Sequence, residues 1–266
     1  MPLVLSDAID QVCGFAARTS ARSIFYSLLT RATQTQLLNG SKREQRVTAE
    51  RLKQLALQDA NRAAIADAGA IEPLIELLSS EDLEVQEEAA AALRSLALGQ
   101  GAIRRRIVRA GSLPPLLAML QLGSEDAASS GPSSAQLQRV RQMQRVRQRQ
   151  EQAAGLLKTL AMHGESAAAI VAADGIPPLV ALLESGDVGV QQDAAAALRN
   201  LAATCDASPA AIEQARGVGT LVGLLSSGNA EVQAAATGAL RSLARYTNLH
   251  APLIEAGALT QLQVRT

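Results

Sequence analysis

Six residues recur along this chain. They read ALRSLA at 92–97, ALRNLA at 197–202 and ALRSLA at 239–244, with looser copies RLKQLA at 51–56 and LLKTLA at 156–161. Their second residues, Leu52, Leu93, Leu157, Leu198 and Leu240, stand 41, 64, 41 and 42 positions apart. A period near 40 predicts a solenoid of stacked units, because each unit can bury its apolar face only against its neighbours. The single long interval then holds about 22 extra residues.

Composition agrees. Of 266 residues 48% are hydrophobic, yet 2% are aromatic and none is Trp. Ala- and Leu-rich helices packed closely need few rings. Lys plus Arg balance Asp plus Glu at 25 each, so no global charge draws the chain to nucleic acid or an anionic membrane. Two cysteines, Cys13 and Cys205, make no disulfide framework and suggest a reducing compartment, cytoplasmic or nuclear. No apolar run approaches the length of a membrane span.

Residues 62–98 show one unit. RAAIADA is a short helix stopped by Gly69, which can take the left-handed conformation that ends a helix. IEPLIELL follows with Pro73 near its start and Leu74, Leu77 and Leu78 apolar. Ser80 or Asp82 can cap a third helix whose stripe is Val85, Ala89, Leu93 and Leu96. The order recurs at 107–120, 170–183 and 212–225, and a partial copy opens at 253–262. From the last Leu of helix two to the repeat Leu is 15 residues in three units, Leu78 to Leu93, Leu183 to Leu198 and Leu225 to Leu240. From Leu120 to Leu157 it is 37, which places the insertion at about 121–150.

The segments AGAIEPLIELL, AGSLPPLLAML and DGIPPLVALL, with VQ…AAAALR(S/N)LA after them, resemble the armadillo-repeat family. The resemblance covers about residues 47–266 and implies an all-α, right-handed α-solenoid of about five units with partial ends. Residues 1–46 form an N-terminal extension, read as a helical cap that uses Phe15, Phe25 and Tyr26. Its stretch from Gln11 to Arg43 has no acid, five cations and eight Ser or Thr, which also suits an organelle-targeting segment. The insertion opens as a Ser- and Gly-rich loop and continues as a backward extension of a third helix. Arg141, Arg145 and Arg149, four apart, form a secondary basic face there.

Chemistry is hard to place on this pattern. His163 and His250 lack metal-ligand spacing, and Cys205 has no base repeated beside it. GVGTLVG at 217–223 aligns with the helix hinge and not with a dinucleotide loop. No metal, cofactor or catalytic residue is expected. With Tyr246 the one aromatic of the repeat region, base stacking has no platform, which argues against nucleic acid.

In the armadillo family the third helices line a concave groove, where an Asn on each often grips the backbone of an extended peptide. The matching positions are Gln54, Ser95, Thr159, Asn200 and Ser242, all polar. The import receptors of the family carry Trp four residues earlier. Glu50, Ala91, Gly155, Ala196 and Gly238 stand here, so classical import-signal binding is not implied. Just before each polar position stands a cation: Lys53, Arg94, Lys158, Arg199 and Arg241. This ladder predicts an acidic or phosphorylated partner, since Arg forms charge-assisted bonds to such groups. The expected function is a non-catalytic protein-interaction scaffold or adaptor. The alternatives are a pigment-attaching lyase of helical-repeat type, and phosphate or nucleic-acid contact through the Arg-rich insertion.

Overall fold

The computed structural model describes residues 33–121 and 133–258, with no strand among them. The stretch 1–32, the loop at 122–132 and the end at 259–266 lie outside the described residues, and with them the aromatic extension.

Residues 33–39 are helical, and α1 (Lys42–Leu55) follows. The next unit is α2 (Asp59–Asp67), α3 (Ile71–Leu77) and α4 (Leu83–Ala97). Then come α5 (Gly101–Arg109), α6 (Leu113–Gln121) and α7 (Ser133–Leu160). The fourth unit is α8 (Gly164–Ala172), α9 (Ile176–Leu182) and α10 (Val188–Thr204). The fifth is α11 (Ser208–Gln214), α12 (Gly217–Leu224) and α13 (Ala230–Leu243). A 3-10 turn at Thr247–Leu249 and α14 (His250–Glu255) begin another. Each third helix, α1, α4, α7, α10 and α13, packs on the next in chain order. Their repeat leucines are all buried, in one apolar layer that runs the length of the array.

Local chemistry explains the breaks. Asp82, Asp187 and Asn229 cap α4, α10 and α13 by accepting from backbone N–H groups of the first turn. The turn between first and second helices takes a positive φ at Gly69, Gly111, Asp174, Arg216 and Gly257. Arg216 holds φ +59°, a conformation that costs an L side chain about 1 kcal/mol. Arg216→Gly is therefore expected to stabilise the fold by roughly 0.5–1 kcal/mol, read as a higher urea midpoint with an unchanged m-value.

One amide is repeated in every unit. Seven residues before each repeat leucine stands Gln45, Gln86, Gln150, Gln191 or Gln233. Their Nε2 groups donate to the carbonyls of Leu37, Ser80, Leu120, Leu183 and Ser227. Each bond ties a third helix to the end of the helix before it and satisfies a carbonyl the helix leaves orphaned. Gln45 and the fully buried Leu37, 15 residues before Leu52, put the 33–39 helix where later units have their second helix.

Helix α7 has 28 residues where α4 has 15, α10 has 17 and α13 has 14. Its residues 140–145 are exposed, and burial begins where it enters the array. There Arg149, eight before the repeat leucine, occupies the position that Val85, Val190 and Val232 fill elsewhere. It is 1% exposed and donates Nη1 to Gln86 Oε1 over 3.1 Å. Burial pushes its pKa down.

Candidate groove on the third-helix layer

The face of the third helices turned away from the apolar layer carries the residues singled out in the sequence. Its floor positions, two before each repeat leucine, are small from α4 onward. Its cations, one after each repeat leucine, do not form a free ladder. Lys53 Nζ pairs with Glu88 at 2.6 Å, and Lys158 pairs with Asp193. Arg94 lies 3.5 Å from Gln152 Oε1 and 3.7 Å from Asp193 Oδ2. Apart from Arg94–Asp193, one register rule covers these contacts. Lys53, Arg94 and Lys158 reach the residue five before the repeat leucine of the next helix, which is Glu88, Gln152 and Asp193, and the corresponding residue for Arg199 is Ala235. The first three can accept; the alanine cannot. Arg199 and Arg241 are exposed and belong to no ion pair among the described residues, and the same holds for Arg245.

The floor adapts to its cation. Arg94 and Asp193 meet over Gly155, where an added Cβ would sit 2.6 Å from Arg94 Nη1 and 2.7 Å from Asp193 Oδ2. Arg199 lies over Gly238, whose Cβ would sit 3.0 Å from its Cδ. The two lysines are followed instead by Ala91 and Ala196. A guanidinium needs the space that a methyl would fill.

Three of the five polar positions are engaged as well. Asn200 Nδ2 donates to the Lys158 carbonyl at 2.9 Å. Thr159 Oγ1 and Ser242 Oγ donate to the Gly155 and Gly238 carbonyls at 2.9 and 3.2 Å. Ser95 is buried and Gln54 exposed. Of the expected basic face on α7, Arg141 is exposed, Arg145 pairs with Glu84 at 2.8 Å, and Arg149 is inside the fold. The spacing of four suggested one exposed face, but the array closes over its last member.

Two half-buried carboxylates on the third helices, Glu87 on α4 and Glu151 on α7, are in no ion pair among the described residues. Burial, then Glu88, raises the pKa of Glu87; burial, then Asp193 and Asp187, raises that of Glu151. A carboxyl whose pKa is raised on folding binds more protons folded than unfolded. Its contribution therefore falls as pH rises from the unfolded value through the raised one. Both groups are partly exposed, so screening keeps the effect small. Glu87→Gln is expected to add up to about 1 kcal/mol near pH 7 and nothing below about pH 4, measured by urea unfolding at the two values.

Among the described residues no group of three His, Cys, Asp or Glu could hold a metal ion. His163 Nε2 lies 3.0 Å from Arg105 Nη1, and the His250 ring contacts the Ala244 carbonyl. No single described helix is long and apolar enough to cross a membrane.

The armadillo/beta-catenin-like repeat model matches residues 58–98, 165–203 and 206–245. An engineered protein of solved structure superposes with a TM-score of 0.77 at 34% identity, over 88% of this chain and 87% of that one. The chain belongs to the armadillo-repeat family. A designed armadillo-repeat protein solved in complex with the peptide (KR)4 superposes with a TM-score of 0.74 at 25% identity, over 87% of this armadillo chain and 89% of that one. The U-box domain-containing protein 14 of Arabidopsis thaliana is 38% identical over 92 residues, 34% of this chain and 14% of that protein. The chain thus matches a small part of that relative's length. The repeat model skips 99–164, the stretch in which the armadillo spacing is broken by the insertion.

Proposed function

We propose that this armadillo chain is a non-catalytic scaffold that holds another protein by seating an extended or helical acidic segment in the groove. Arg199 and Arg241 carry the reading. Both are exposed and in no ion pair among the described residues; the position matching Glu88, Gln152 and Asp193 is Ala235 for Arg199, whose guanidinium reaches only Asn200 Oδ1 at 3.5 Å, and Arg241 has no later third helix among the described residues. The acidic residues of the partner, carboxylate or phosphorylated, lie on these C-terminal rungs. The N-terminal rungs would repel them, because their cations are engaged and Glu87 and Glu151 stand among them. The designed relative supports a seated peptide. Its peptide is a polycation; the free charges here are positive, so the complementary segment is anionic.

Comparative affinity purification from the native cell tests this, with wild type and the double variant Arg199→Glu, Arg241→Glu as baits. Both sites are exposed, so the variant keeps its helicity by circular dichroism. Loss of a partner that carries an acidic segment supports the reading. Retention of every such partner by the folded variant overturns it.

A further inference from the structure

The Asp193 carboxylate occupies a seat that the chain builds twice. Arg94 reaches over Gly155 from the helix before, with Nη1 2.6 Å from where a Cβ would stand. Lys158 follows that glycine by three residues, about one turn on along the same helix. Asp193 lies between the two cations, with Oδ2 3.7 Å from Arg94 Nη1 and Oδ1 paired with Lys158 Nζ. Its Oδ2 would stand 2.7 Å from the same Cβ, so guanidinium and carboxylate together fill the space that glycine leaves. The second copy is at Gly238. Arg199 reaches over it from the helix before, and its Cδ, Nη1 and Cγ are the nearest atoms to the place of a Cβ, at 3.0, 3.6 and 4.0 Å. Arg241 follows this glycine by three residues, as Lys158 follows Gly155. Helix α10 packs on α13 as α4 packs on α7. Here no carboxylate of the described residues pairs with either arginine, and Arg199 has only Asn200 Oδ1 at 3.5 Å. Gly155 is buried beneath its anion, whereas Gly238 is half-buried.

We propose that the open seat over Gly238 takes a phosphoryl group of the partner segment, a phosphoserine or phosphothreonine gripped between Arg199 and Arg241. This assignment rests on the groove reading above and deepens it by choosing among anions. The filled seat shows that one oxyanion fits between a cation laid over the glycine and a cation one turn on. The open seat differs in two ways that favour phosphoryl over carboxylate. Its second cation is Arg where the filled seat has Lys158. Two planar forks present paired donors to several phosphate oxygens at once, which an ammonium cannot do. Both cations also lack a carboxylate of the described residues, so a group of charge about −1.5 to −2 balances them where a single carboxylate leaves one positive.

An oriented library of peptides, random around one central phosphoserine, is selected on the full chain beside the same library with Glu at the centre. Selected sequences are expected to bind about tenfold more tightly with phosphoserine than with Glu. The preference is expected to shrink below about pH 6, where the phosphoryl group takes up its second proton. Arg199→Lys with Arg241→Lys keeps the charge and removes the forks, and is expected to lose the preference while still binding the Glu peptides. Gly238→Ala keeps both arginines and favours the helix, and is expected to weaken phosphoserine binding severalfold by pushing Arg199 off the floor. Equal binding of phosphoserine and Glu peptides by wild type, or a preference that survives in both variants, overturns this inference and leaves the groove reading standing. Free phosphoserine that binds as tightly as the selected peptides overturns the assignment to a partner segment. Retention of neither library overturns both readings.

Discussion

Asn in place of Asp193 is expected to destabilise the protein by about 2 kcal/mol and to strengthen its binding of acidic segments. The carboxylate is nearly buried, with its side chain 9% exposed, and it faces Lys158 from one unit and Arg94 from another. Removing one member of a fully buried pair costs about 3–5 kcal/mol. The two cations here are 27% and 31% exposed and can turn to water, which lowers the cost. Once released, they extend the free cationic row from Arg199 back toward α4. Urea unfolding reads the first effect. Titration of an aspartate-rich peptide reads the second, with a severalfold gain in affinity expected at low salt and its loss at high salt. A variant that is destabilised but binds no more tightly would show that the engaged ladder does not limit where acids bind.

Leu157→Ala is expected to cost about 3–5 kcal/mol. Leu157 is fully buried in α7, which packs against both α4 and α10. A solenoid is held by its nearest-neighbour interfaces, so a cavity in a central helix weakens the joints on both sides. The expected signature is a large drop in urea midpoint, together with an earlier, separate unfolding step of one end. The same change at Leu240, near the end of the described array and 3% exposed, is expected to cost less, because fewer units depend on it.

Much of the fold could be read from the sequence because repetition averages out local ambiguity. The repeat leucines, the hinge at Gly69 and the cap at Asp82 followed from residue type and period. What escaped was the partner of each side chain. The Gln seven before each repeat leucine is as regular as the leucine itself, yet residue type alone does not tell an amide that ties two helices together from one that grips a peptide, as at Asn200. The ladder looked free because a solvated helix face and a paired one carry the same residues. Once the stacking is known, the pairs are regular too: Lys53 to Glu88 and Lys158 to Asp193 both span 35 residues. Arg149 was placed on an exposed face by its spacing from Arg141 and Arg145. The register of the array, set by Leu157, puts it in a valine's place instead.

Arg199 and Arg241 are expected to form the part of the groove that holds an acidic segment. Calorimetric titration of wild type and of Arg199→Glu, Arg241→Glu with a glutamate-rich peptide, at low and high salt, tests it directly. Wild type is expected to show measurable, salt-sensitive binding and the variant at least about a tenfold loss, the sum of two charge-assisted contacts. Equal binding by the two proteins, with the variant folded, would contradict it.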